Sequence, residues 1–345
     1  MDRPRRLKLL VAYGRYVRDG NLPPHKHKVR AKTVEMAFQA ISTTLTLDGK
    51  PSPVETQEGK YEKAISQLLE GYRREDPPPE PKLAVPVSVP NMMYVQGLSG
   101  SEKDRCVGDF GLIAFYYLLR VGEYTHHKQS ERRRTVQFRL KDVILWHHNT
   151  RLDPSLPTKD LLRLCTAATL NISNQKNGHR AQTIHQEALF DTLCPVRALI
   201  RRMKHIMRNT TNPETMLGSY FEKGQKMKSI TGTLITAAVR RAAKTLHLDN
   251  QGFGINNNIS SHSLRAGGAM ALHLTGADVN TIKKMGRWSS DTFLMYIHEQ
   301  ISHFSKGLSR QMAQHIPFHN VQFQPMKSIP LVYEAPIEDF TKLRL

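Results

Sequence analysis

The sequence predicts a mainly helical α+β protein with a small antiparallel sheet, arranged as two domains. Three observations predict this. At 345 residues the chain exceeds what a single hydrophobic core comfortably fills. Apolar residues recur at three- and four-residue spacing over most of its length, with period-two alternation confined to short stretches in the middle. Six prolines within residues 77–90 interrupt the helical pattern.

Along the chain, Leu7, Leu10, Val11, Tyr13 and Val17 mark a first helix, Thr33 to Ile41 a second, and Ile65, Leu68 and Leu69, within Tyr61–Tyr72, a third. These assign residues 1–76 to a short helical domain. The proline-rich stretch assigns 77–100 to a semi-rigid linker. Residues 101–310 form the second domain and 311–345 a tail. Val107, Phe110, Ile113, Ala114, Tyr117, Leu118 and Val121 predict a buried helix over 103–123, with Arg120 and Glu123 at its end, three apart on one face. Thr135–Leu140 and Val143–Trp146 read as two strands. Leu162–Ser173 and Arg180–His185 read as a second pair, joined by a turn in which Lys176 precedes Asn177-Gly178, a strong hairpin signal. Helices follow from Pro195 to about Met207 and from Ile230 to Leu246. Ser261 is placed to cap a helix through His273, and Asp278 a short one ending near Met285. A last helical segment covers about 291–304.

Fifty Lys and Arg against thirty Asp and Glu leave a net charge of +20, the electrostatic footprint of a protein that works beside a polyanion. No apolar run is long enough for a membrane span, and Met-Asp-Arg-Pro-Arg-Arg lacks the apolar stretch of a signal peptide. Cys106, Cys165 and Cys194 form no CxxC pair, so neither a disulfide framework nor a cysteine-based zinc module is expected. His126-His127 and His147-His148 lack a third ligand at metal-binding spacing. The expectation is an intracellular chain with no metal, no cofactor and no membrane partner, acting on nucleic acid.

Polar groups cluster between 261 and 300 at spacings that a core would not select. His262 and Arg265 share a face at a helix start, where backbone N–H groups favour an anion. Gly286-Arg287-Trp288, Tyr296 and His298 follow. The order Arg120, Lys176, His262-x-x-Arg265, Gly286-Arg-Trp288 and Tyr296 resembles the catalytic signature of the tyrosine recombinases, the integrase family related in chemistry to type IB topoisomerases. Leu118-Leu-Arg-Val-Gly-Glu-Tyr124, Leu193-Cys-Pro-Val-Arg-Ala-Leu199 and Tyr296-Ile-His298 extend the resemblance over about residues 104–305. It looks most like the eukaryotic recombinases of Crypton-type mobile elements. Val29-Arg30-Ala31-Lys32-Thr33-Val34 and the proline linker look like the end of that group's core-binding domain, here short enough to be truncated.

The resemblance implies the DNA breaking-rejoining enzyme fold, double-stranded DNA as partner, a homotetramer assembled on two duplexes, and nuclear action if the chain is eukaryotic. Residue by residue, it implies Arg120 and Arg265 on the non-bridging phosphate oxygens, Lys176 as the acid for the leaving 5′-oxygen and His262 assisting. Tyr296 becomes the nucleophile of a 3′-phosphotyrosyl bond, formed without metal or ATP. These residue types suit the chemistry. A guanidinium forks two donors onto a phosphate where lysine cannot, and a phenol of pKa about 10 needs neighbouring cations to react. Glu123 would orient Arg120, and His298 supports Tyr296. Arg132, Arg133 and Arg134 form a basic DNA-facing loop, with Arg30 and Lys32 contributing further contacts. One position departs from the family: nine residues before the tyrosine, where His or Trp is usual, stands Arg287, with Trp288 one later, and either could donate to the transition state. A monomeric type IB topoisomerase and a catalytically silent DNA-binding protein remain the alternatives.

Overall fold

A computed structural model describes residues 2–77, 83–126, 135–172, 182–189, 191–222, 227–251 and 258–288. The chain divides into two compact units, residues 1–80 and 81–345.

The first unit is a three-helix cluster of α1 (Arg3–Arg18), α2 (Ala31–Leu47) and α3 (Lys63–Glu75). Each helix turns one apolar stripe inward, so Leu10, Val17, Val34, Phe38, Ile65 and Leu69 form the core. Its closure depends on Arg18, 4% exposed, which donates to Val29 O at 2.6 Å and to Asp76 Oδ1 at 2.5 Å. Asp76 also accepts the Ala31 N–H at 2.8 Å, tying the end of α3 to the start of α2.

The second unit is built around α5 (Glu102–Tyr116), buried at every position from Cys106 to Phe115 and apolar on nearly all sides. Ser101 and Asp104 form a capping box at its start. Helices α4 (Ser88–Leu98), α8 (Pro195–Met207), α9 (Gly232–Thr245) and α10 (His262–Leu274) pack around it. Short α-helices α6 (Val121–Tyr124), α7 (Thr158–Leu164) and α11 (Val279–Gly286) follow, with 3-10 turns at Leu140–Asp142 and Leu248–Gln251. Strands β1 (Val143–His147), β2 (Thr150–Arg151), β3 (Ala167–Ile172) and β4 (Gln182–Glu187) form an antiparallel sheet in the order β2-β1-β3-β4. The register places Val143 opposite Leu170 and Leu170 opposite Ile184, a buried row facing the helices. A two-residue ribbon, β5 (Ser219–Tyr220) with β6 (Lys228–Ser229), lies apart from it. All three cysteines are buried and unbridged.

Several sequence expectations are corrected. The helix expected over 103–123 is two helices: α5 stops at Tyr116, Leu118 adopts a left-handed backbone with φ 48°, and α6 starts afresh with Arg120 as its N-cap. The stretch 135–140 is not a ladder strand. Its Phe138 N–H bonds to Glu123 O, and Phe138 O accepts from Leu217 N–H, leaving one isolated bridge between Arg139 and Met216. Leu162 to Leu164 belong to α7, and β3 begins only at Ala167. Residues 88–98, inside the span read as linker, form α4, whose Val89 and Met93 are buried in the larger core. Pro90 is tolerated there because it sits in the first turn, where its missing N–H has no helical partner to lose. Ser261 precedes α10 in helical conformation and makes no side-chain cap, whereas Asp278 caps α11 through the Asn280 and Thr281 N–H groups.

The Gly267-Gly268 doublet sets how closely α10 approaches the centre. A Cβ on Gly267 would fall 2.1 Å from Val85 O, and one on Gly268 would fall 2.2 Å from Phe115 O. Only glycine permits this approach. Gly267→Ala and Gly268→Ala are each expected to destabilise the protein by about 1–3 kcal/mol. Gly71→Ala, in α3 with open space around its Cβ, should stabilise by about 0.5–1 kcal/mol. Urea unfolding midpoints check the contrast, and equal shifts at the three sites would contradict it.

Candidate active site

Two helices end at one point. At the end of α5, Leu119 N–H bonds back to Ala114 O and Leu118 N–H to Phe115 O. At the end of α11, Trp288 N–H bonds to Lys283 O and Arg287 N–H to Lys284 O. Both are Schellman closures, and both place a non-glycine residue in the left-handed region: Leu118 at φ 48° and Arg287 at φ 55°. Each costs about 1–2 kcal/mol relative to a residue at ease there. The closures turn Leu118 O, Gly286 O and Arg287 O, with the partial negative charge of two helix C-termini, toward a shared centre.

Three guanidinium groups occupy that centre. Arg265, on the first turn of α10 and 6% exposed, donates Nη1 to Leu118 O at 2.8 Å and Nη2 to Gly286 O. Arg120 donates Nη2 to Arg287 O at 2.9 Å and Nη1 to Glu123 Oε1 at 3.3 Å. Arg287, 8% exposed, donates Nη2 to both Glu123 Oε2 at 2.8 Å and Leu118 O at 3.2 Å. Glu123, 1% exposed, also accepts the Arg120 N–H at 2.8 Å, the N-cap to third-residue contact of α6. Sequence spacing thus predicts the Arg120–Glu123 pair, and the structure adds Arg287 as a second partner of the same carboxylate.

Among the described residues, three guanidinium groups gather around one carboxylate, Glu123, which pairs with Arg120 and Arg287. Burial, with the charge of Arg120 beside it and against the pull of Glu123, lowers the Arg287 pKa to about 10. Its Nε and Nη1 are buried without a hydrogen-bond acceptor among the described residues. A group of three guanidiniums, with the two unmet donors of Arg287 among them, is chemically suited to an oxyanion carrying several acceptor oxygens, such as a phosphodiester.

Trp288 lies with its ring 4.2 Å from the Arg265 guanidinium carbon. Gly286 makes this possible, because a Cβ there would fall 1.5 Å from a ring carbon of Trp288. His262 is exposed at the start of α10, three residues before Arg265, and its backbone N–H bonds to Ser260 Oγ at 3.3 Å. An open cleft of about 580 Å³ adjoins the cluster, lined by Gln182 and Thr183 of β4, Asn280, Lys283 and Lys284 of α11, then Arg287 and Trp288. Gln182, the first residue of β4, pairs with Ile172, the last of β3.

The structure therefore brings Arg120, Glu123, Arg265, Arg287 and Trp288 together, with His262 one helical turn away. Lys176, Tyr296, His298, Arg132, Arg133 and Arg134 lie outside the described residues. Arg30 and Lys32 are exposed in the other unit, Lys32 paired with Glu35 at 3.2 Å. Sequence reasoning missed the Leu118 carbonyl and the Gly286 to Trp288 packing. The glycine directly before Arg287-Trp288 was the available signal for the second, and no residue type announces the first.

Glu123→Gln removes the carboxylate from buried Arg287 and half-buried Arg120 and should cost about 3–5 kcal/mol. Adding Arg287→Met to that variant should recover part of the loss, which urea unfolding of the double-mutant cycle measures. Strict additivity would contradict the shared-carboxylate arrangement.

No protein-family model and no curated protein matches the sequence. Among solved structures, the chain is similar to the XerH site-specific recombinase bound to palindromic difH substrate in a post-cleavage complex, at TM-score 0.50 and 15% identity, covering 90% of this chain and 73% of that one. The Tn1549 transposon integrase in complex with transposon right end DNA aligns at TM-score 0.45 and 12% identity, over 88% and 85% of the two chains. The XerA recombinase aligns at 0.38 and 12%, over 91% and 100%. These last two are too distant in shape to carry argument. The XerH comparison shows that this mainly helical chain with its small antiparallel sheet shares the fold of that site-specific recombinase.

Proposed function

We propose that the protein is a DNA strand transferase of the tyrosine-recombinase type, which cleaves and rejoins duplex DNA through a 3′-phosphotyrosyl bond to Tyr296. The observation that carries this reading is the convergence of Arg120, Arg265 and Arg287 on one centre, with two buried Arg287 donors unmet among the described residues, an arrangement suited to a phosphate. Arg120 and Arg265 hold the non-bridging oxygens of the scissile phosphate. Glu123 fixes the Arg120 and Arg287 guanidinium groups. Their combined charge favours the phenolate of Tyr296, whose oxygen attacks phosphorus while the bond to the 5′-oxygen breaks. Lys176 supplies the proton that the leaving oxygen needs, and His262 assists in proton transfer or donates to the phosphate.

Arg287 and Trp288 divide the role of the family's usual His or Trp. Trp288 borders the cleft and packs on Arg265, while Arg287 is turned inward to Glu123. His298 supports Tyr296 on the following turn. Residues 1–76, with Arg30 and Lys32, act as a DNA-binding domain joined through the proline-rich stretch to a catalytic domain that takes in α4 and runs to about residue 310, and Arg132, Arg133 and Arg134 add a DNA-facing basic loop. Recombination by this chemistry takes a homotetramer on two duplexes. A Crypton-type origin and nuclear action complete the reading.

The test is a nicked suicide duplex incubated in EDTA and resolved on a denaturing gel. Wild type is expected to give a covalent protein–DNA band that Tyr296→Phe abolishes and Arg265→Lys reduces by about 10²-fold or more. Retarded DNA on a native gel with no covalent band would overturn the catalytic reading.

A further inference from the structure

A second cationic cavity lies away from the arginine cluster. It occupies about 200 Å³ between α4, the N-terminal half of α5, the first residue of α7 and α8. Tyr94, Gly97 and Leu98 form one wall, and the facing side chains of α5 and α8 form the rest. Helix α5 separates the two places. The cavity sits toward its Glu102 end and the arginine cluster beyond its Tyr116 end, about 20 Å along the axis.

Five cations line the cavity, Arg105, Arg201, Arg202, Lys204 and Arg208, against two carboxylates, Glu102 and Asp109. Both carboxylates are already engaged. Asp109 Oδ1 accepts Arg201 Nε at 2.8 Å, and Glu102 accepts Arg105 at 2.9 Å and lies 3.1 Å from His205 Nδ1. Burial raises the Asp109 carboxyl against the pull of Arg201 and Arg202. Burial and the charge of Arg208 lower the Lys204 ammonium against the pull of Asp153. Lys204 has a carbonyl partner, Ser155 O at 3.2 Å.

Unmet donors accompany the excess charge. Arg202 is 1% exposed, and its Nε has no acceptor among the described residues. Arg201 Nη2 is buried 2.7 Å from Asp109 Oδ1 yet out of line for a hydrogen bond to it. The Arg201 guanidinium is held 4.6 Å over the Tyr94 ring, so it is fixed in place before any ligand arrives. A preformed cavity with three surplus positive charges and unmet guanidinium donors matches an oxyanion with several acceptor oxygens.

We propose that this cavity between α4, α5 and α8 is a phosphoryl-binding site distinct from the arginine cluster. Its ligand is a phosphate group, carried either by a small phosphorylated molecule or by a DNA backbone. The proposal is independent of the recombinase reading.

Equilibrium dialysis of the full chain against labelled inorganic phosphate at constant ionic strength tests it. Lys204→Gln/Arg208→Gln, two substitutions on the outer rim of α8, should remove one bound phosphate per chain or weaken it by tenfold or more, with the circular dichroism spectrum unchanged. Arg120→Gln should leave that same phosphate in place. Unlabelled duplex DNA added to Arg120→Gln identifies the source: displacement assigns the site to backbone phosphate, and retention assigns it to a small phosphorylated ligand. Phosphate binding that is unchanged in the α8 double variant, or that vanishes entirely in Arg120→Gln, would overturn the proposal.

Discussion

The helix ends of α5 and α11, closed against each other by two left-handed residues that are not glycine, are the constraint on which the site depends. Leu118 and Arg287 each hold a backbone conformation that glycine would adopt more cheaply. What they secure is a set of three carbonyls aimed at three arginines. Because Leu118 O serves both Arg265 and Arg287, and Glu123 serves both Arg287 and Arg120, the contacts close into a ring. Moving any one guanidinium disturbs the other two. Strain of this kind persists only where the surrounding packing over-determines it, and the glycine doublet of α10 and the buried length of α5 provide that packing.

Among the described residues the ring gathers three cations around one carboxylate. A fold selected for stability alone would replace buried cations such as Arg265 and Arg287 with apolar side chains. Here backbone carbonyls orient the arginines, so their donors are fixed in place for an incoming anion. That is the electrostatic arrangement expected of a site that stabilises charge developing on a phosphate, with its dipoles fixed in advance and little reorganisation during the reaction. The Trp288 indole, seated on Gly286, shields one face of Arg265 and limits its freedom further.

Much of this was legible in the sequence, for reasons that differ by element. Apolar periodicity located α1, α2 and α3, Pro195 marked the start of α8, a helical pattern gave α9, and Asp278 announced the start of α11; α10 was placed by Ser261, which does not cap it. The spacing of Arg120 and Glu123 predicted their contact correctly, although on a separate helix rather than at the end of a long one. The break at Leu118 was illegible because leucine carries no turn signal: the left-handed closure is imposed by tertiary packing, against local preference. Residues 135–140 alternate like a strand but pair through single bonds to Glu123 and Leu217, since alternation reports burial on one side and not the presence of a ladder partner. The Arg287 side chain, read as a candidate transition-state donor, turns inward because the backbone at φ 55° aims it at Glu123, a long-range contact that no local spacing encodes.

The central claim is that the arginine cluster neutralises a scissile phosphate for attack by Tyr296. Its most direct test replaces that phosphate in a nicked duplex with an uncharged methylphosphonate and measures covalent complex formation by Arg265→Ala. If charge neutralisation is the role of Arg265, the variant should be inactive on the ordinary phosphodiester and recover covalent complex on the neutral substrate, while Tyr296→Phe recovers none. Failure of the neutral substrate to rescue Arg265→Ala, with wild type active on the phosphodiester, would contradict the account.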